Sequence, residues 1–90
     1  MCLNFDLQII NEKGLHARAS AKFVEICENH KSQATVTFNE FTVAGDSIMG
    51  LLTLGAAQGS VLSINVAGED KSALQNALTK LVKAGFYEEK

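Results

Sequence analysis

Phe5, Leu7 and Ile9 alternate with Asn4, Asp6 and Gln8, the two-residue period of a strand that buries one face. Asn11, Glu12, Lys13 and Gly14 interrupt it. From Ala17 the period becomes helical, with Phe23, Val24, Ile26 and Cys27 sharing a face with Ser20 while Lys22, Glu25 and Glu28 point away. This helix is expected to end between Asn29 and Ser32. Ala34, Val36 and Phe38 alternate with Thr35 and Thr37 as a second strand, and Asn39-Glu40 is the turn that leads into a partner strand, FTVA. Gly45-Asp46-Ser47 breaks the pattern again. Ile48, Met49, Leu51, Leu52 and Leu54 then form a short apolar helix, capped by Asp46 or Ser47 and closed by Gly55. After a turn at Gln58-Gly59-Ser60, Leu62, Ile64 and Val66 alternate as a fourth strand. Gly68-Glu69-Asp70 opens a last helix with an apolar stripe of Leu74, Ala77, Leu78, Leu81 and Val82, stopping at Gly85.

The predicted order is βαββαβα, an α+β layer with helices on one face of an antiparallel sheet. Ninety residues suffice for one core, so residues 1–90 are read as a single domain. The chain is 47% hydrophobic and 20% charged and has no proline, a composition that folds. A formal net charge of -2 provides no basic field for nucleic acid or anionic lipid. Asp6 interrupts what a signal peptide would need as an apolar core, and no apolar run reaches bilayer length. A cytoplasmic protein is therefore expected, with no nucleic acid and no membrane insertion. Cys2 and Cys27 are read as free thiols of a reducing compartment.

The chemistry concentrates at NEKGLHARAS. His16 stands where the loop after the first strand meets the first long helix, at or next to the N-cap. A helix start carries unpaired amide N–H groups and about half a positive charge, which favours an anion and disfavours protonated imidazole. Neutral imidazole is a nucleophile at neutral pH. Arg18 offers a guanidinium fork to the same oxygens, and Gly14 allows a sharp turn. The constellation suits a phosphohistidine. A plain capping or surface histidine has the same local pattern. No metal ligand set, cofactor motif or general-base partner accompanies His16, so another protein would complete any transfer. His30 reads as a solvated residue at a helix end.

GLHARAS, DSIMGLLTLGAAQGS and AGED before a helix together resemble the HPr family, the histidine-containing phosphocarriers of the phosphoenolpyruvate-dependent phosphotransferase system. The likeness runs from about Phe5 to Val82. It implies an open-faced β-sandwich, a four-stranded antiparallel sheet with three helices on one side. It further implies that His16 receives a phosphoryl group on Nδ1 from enzyme I and passes it to an enzyme IIA domain, with Arg18 contacting the phosphate. Ser47 matches the serine modified by a dedicated kinase/phosphorylase in many members; a plain N-cap is the alternative. Ser20, Ile48, Met49 and Leu52 match positions of the patch on which enzyme I and enzyme IIA dock, and the carrier is expected to be a monomer rather than an enzyme.

Two features depart from the pattern. Ala19 stands where the family usually has proline, which leaves open the sugar-transport and nitrogen-related branches, and the tail AGFYEEK has no usable counterpart. The rival reading is a regulatory domain of the same topology that binds an anion or a partner without covalent transfer.

Overall fold

A computed structural model describes residues 2–87. Its elements follow the predicted order: β1 (Cys2–Gln8), α1 (Ala17–Glu28), β2 (Gln33–Phe38), β3 (Phe41–Ala44), α2 (Ile48–Leu54), β4 (Val61–Ala67) and α3 (Lys71–Lys83). The four strands make one antiparallel sheet in the order β1-β4-β2-β3. All three helices cover one face, and the core lies between the two layers. Leu7, Ala34, Val36, Leu62, Ile64 and Val66 supply the sheet side; Phe23, Val24, Leu74, Leu78, Leu81 and Val82 supply the helix side. Alternation puts Asn4, Asp6, Thr35, Ser63 and Asn65 on the open face, where a hydrogen bond joins Asn65 to Asn4. This is the open-faced sandwich that the resemblance implies.

The β2–β3 hairpin turns where expected, at Asn39-Glu40. Both residues have positive φ, 53° and 73°, the conformation that matches a two-residue turn to the twist of its strands. Strand β1 begins earlier than the alternation suggests and ends before Ile9. Ile9 is nonetheless fully buried, held by hydrogen bonds from its amide to Ser60 O (2.8 Å) and from the Gly59 amide to its carbonyl (2.7 Å). Helix α1 ends at Asn29, and His30 Nδ1 donates to the Ile26 carbonyl at 2.7 Å, satisfying an acceptor of the last turn.

The end of the chain differs from expectation. Helix α3 stops at Lys83, and Gly85, Phe86 and Tyr87 all take positive φ (63°, 57° and 59°) in a tight turn. That turn drives Phe86 into the core with no exposed surface. A left-handed phenylalanine is strained. Burying its ring contributes about 1.5–3 kcal/mol, enough to offset the strain. Glu88, Glu89 and Lys90 of the AGFYEEK tail lie outside the described residues.

A second long-range tie joins the start of α3 to the start of β2. Asp70 is the N-cap residue of α3, yet its carboxylate turns away from that helix and accepts the Ser32 amide (2.8 Å) and the Lys31 amide (3.0 Å). In return Ser32 Oγ accepts the Asp70 amide at 3.0 Å. Gly68, at φ 139°, lets the chain pass over Ser32: a Cβ there would lie 2.6 Å from Ser32 Cα. Cys2 is exposed and Cys27 buried, both as free thiols, and burial, aided by Asp46 and Glu28, pushes the Cys27 thiol up to about 12. It stays protonated and inert near neutral pH. Among the described residues no helix is long and apolar enough to cross a membrane.

The Ser32 hydroxyl, then the Lys31 and Ser32 amides and the His30 charge, hold the Asp70 carboxyl at about 2, below its usual 3.8. A depressed carboxylate contributes stability that is complete above its unfolded pKa and lost as pH falls through the folded one. Asp70→Asn is therefore expected to lower the denaturation midpoint at neutral pH, with the deficit shrinking between pH 3.8 and about 2. Equal deficits across that range, followed by urea titration, would contradict the tie.

Candidate functional site

The site is built on the loop between β1 and α1. Asn11, buried at its start, donates from Nδ2 to the Gly14 carbonyl at 2.8 Å, and the Gly14 amide returns to the Asn11 carbonyl at 3.2 Å. This closes the loop on itself. Gly14 has φ 65° and lies against the segment that leaves α2: a Cβ there would be 2.6 Å from Ala56 O and 2.8 Å from Ala57 Cα. No other residue fits that approach. Immediately afterwards the Leu15 amide bonds Ala56 O at 2.9 Å, and the Leu15 side chain enters the core.

His16 is the N-cap of α1. Its backbone is extended (φ -84°, ψ -176°), its carbonyl accepts the Ser20 amide at 2.8 Å, and its ring makes no capping hydrogen bond to the helix. The side chain is half-buried rather than enclosed. The imidazole thus sits at the amide-rich end of a 12-residue helix, where the dipole favours negative charge attached to it. Arg18 follows in the first turn and is exposed. Alanine at position 19 does not delay the helix, which begins at Ala17; the Ala19 side chain is buried.

Ser20 corrects the sequence reading. Offered there as a docking residue, it has no exposed surface and lies on the inward face of α1, one turn beyond His16, with its hydroxyl 3.5 Å from the Leu15 carbonyl. It packs the loop to the helix and cannot touch a partner. Helix α2 divides as its length requires, with Leu51 and Leu54 buried, Leu52 half-buried, and Ile48 and Met49 exposed at 40% and 70%. Of the two candidate caps it is Ser47 whose Oγ accepts the Gly50 amide, at 3.0 Å; Asp46 is exposed beside it. Such a cap is worth about 1 kcal/mol.

Sequence reasoning missed three supports. Asn11 and the Ala56-Ala57 backbone hold the loop, and Lys22, one turn after Arg18, donates from Nζ to the Phe86 carbonyl at 2.7 Å with the Tyr87 ring 6.0 Å away. Only Asn11 left a local signal, an asparagine three residues before a turn glycine. Among the described residues no group of three or more histidines, cysteines or carboxylates could hold a metal.

A family model described as the PTS HPr component phosphorylation site matches residues 3–84, almost the whole described chain. The chain belongs to the HPr family. It is 44% identical over 86 residues to the phosphocarrier protein HPr of Neisseria meningitidis, covering 96% of this chain and 97% of that one. Among solved structures, HPr-C-His from Thermoanaerobacter tengcongensis superposes with a TM-score of 0.92 at 35% identity, covering 98% and 99% of the two chains. An HPr dimer from the same organism gives 0.77 at 36% identity, covering 91% and 94%.

Gly14→Ala should destabilise the HPr fold by roughly 1–3 kcal/mol, from left-handed strain on alanine and overlap with Ala56 and Ala57. Amide exchange at Leu15 should accelerate more than exchange in α3. Unchanged protection at Leu15 would refute the anchoring role.

Proposed function

We propose that this HPr-family chain accepts a phosphoryl group on His16 from phosphorylated enzyme I and passes it to an enzyme IIA domain of the phosphotransferase system. The observation that carries the proposal is the imidazole at the N-cap of α1, half-exposed at the start of a 12-residue helix with Arg18 in its first turn. In each direction the chemistry is a displacement at phosphorus. An imidazole nitrogen of His16, Nδ1 by family analogy, forms a P–N bond as the bond to the donor's group breaks. The acceptor's nucleophile later takes the phosphoryl group and returns the lone pair to His16. The helix-start amides and the Arg18 guanidinium stabilise the phosphoryl oxygens. No general base lies in the family motif, which fits a carrier that borrows its partners' machinery rather than an enzyme.

Ile48, Met49 and Leu52 form the docking patch in this reading. The exposure of Ile48 and Met49 beside a half-buried Leu52 on a short helix supports it, and an unbranched methionine adapts to unlike partners. The protein acts as a cytoplasmic monomer of one domain. The dimeric relative from Thermoanaerobacter tengcongensis makes a dimer the competing state, and light scattering at working concentration separates the two. Ser47 is the regulatory site. A phosphate there would place about two negative charges beside Asp46 at the edge of the patch, without opposing the α2 dipole, so it would repel a partner rather than melt the helix. Whether the system moves sugar or regulates nitrogen use follows from the IIA domain that accepts the group.

Incubation with enzyme I, magnesium and phosphoenolpyruvate should add one acid-labile phosphoryl mass, and His16→Ala should abolish it. Full labelling of His16→Ala would overturn the assignment, while a chain that binds phosphate without an adduct would favour the non-covalent rival. Treatment with HPr kinase and ATP should modify Ser47 and slow labelling of His16. An unaltered rate in the Ser47-modified chain would remove the regulatory role.

A further inference from the structure

We propose that a cleft beside the His16 loop binds a small polyanion, a compound bearing two or more phosphoryl groups. The cleft lies between the first turns of α1 and the end of α3 and has a volume of about 670 Å³, within the range of small-ligand sites. Four of its lining residues are cations: Lys13 from the loop after β1, Arg18 and Lys22 from α1, and Lys83 from the last turn of α3. Among the described residues Glu12 is the one carboxylate of the lining, so these residues carry a formal charge of +3 in a chain whose total is -2. Positive charge is concentrated here against the trend of the molecule.

The cations come from three segments around the opening, not from one helix face. Like charges so gathered repel one another, and an anion that reaches more than one wall relieves the repulsion. One phosphate group meets part of such a lining; two linked groups span more of it. Lys22 spends a single donor on the Phe86 carbonyl and retains the other two of its ammonium group. Tyr87, exposed on the rim, adds an aromatic face and a hydroxyl. His16 is not among the lining residues, whereas Arg18 is. The cleft is therefore offset from the phosphohistidine position and shares one cation with it. An occupant would compete for Arg18 with a phosphoryl group on His16; that consequence rests on the carrier reading, but the binding does not.

The test is an NMR titration of the intact ¹⁵N-labelled chain with pyrophosphate at fixed ionic strength, with orthophosphate and chloride as parallel arms. Saturable shifts at Lys13, Lys22, Lys83 and Ala84 are expected, with pyrophosphate binding more tightly than orthophosphate. Lys83→Glu should weaken pyrophosphate at least about fivefold, the scale of reversing one nearby charge. Lys13→Glu supplies the same reading if the first variant folds poorly. A response that stays linear, shifts confined to His16 and Arg18, or pyrophosphate affinity unchanged from the parent chain in either folded variant would overturn the proposal. Saturating pyrophosphate should also slow phosphoryl labelling of His16; failure of the carrier reading would abolish labelling yet leave the titration unchanged.

Discussion

Two backbones meet at Gly14, and the candidate site depends on that approach. The glycine lies so close to Ala56 and Ala57 that a single added carbon would collide, and the adjacent Leu15 amide fixes the spacing with a hydrogen bond to Ala56 O. One side of the contact is the loop that starts α1; the other is the segment just past the end of α2. The histidine and the exposed apolar side chains of α2 are therefore parts of one rigid unit, although more than thirty residues separate them in sequence. In the proposed function this rigidity has a purpose. A partner seated on Ile48 and Met49 finds the imidazole at a fixed place, so orientation is prepaid before docking.

The other side of α1 is held by the end of the chain. Three successive residues with positive φ after α3 would be an improbable conformation in isolation. It persists because Phe86 fills core volume and its carbonyl receives the Lys22 ammonium. Local strain is balanced by non-local burial. The start of α1 is thus gripped twice, by Ala56-Ala57 through the His16 loop and by Phe86 through Lys22.

These two grips mark the limit of what the sequence discloses. Alternation and helical period revealed β1, β2, β4 and the three α-helices because one-faced burial imprints them residue by residue. The hairpin at Asn39-Glu40 and the cap at Ser47 were legible for a similar reason, since turn and cap chemistry is local. His16 stood out because a glycine, a histidine and an arginine converge on a helix start. Phe86 did not stand out: Gly85 looks like a helix stop, and nothing in the composition of GFY announces a left-handed turn that returns to the core. Asp70 marked the opening of its own helix, whereas its carboxylate serves amides 38 and 39 residues away. Ser20 failed in the opposite direction. A family position suggested contact with a partner, but the inward face of α1 at that point is already covered.

Physical chemistry also explains why a carrier would be built so sparely. A phosphoryl group that must be taken up and surrendered has to be stabilised enough to form and too little to persist. In the proposed function, backbone amides at a helix start and one exposed arginine would meet that demand, since their dipoles and charge act without a second covalent partner. A buried ring would bar the next acceptor. In the proposed carrier, half-exposure at the N-cap would leave the ring open to an incoming nucleophile. On this view the rigid loop and the exposed ring are not competing demands: the backbone of residues 11 to 15 supplies order, and the side chain of His16 supplies access.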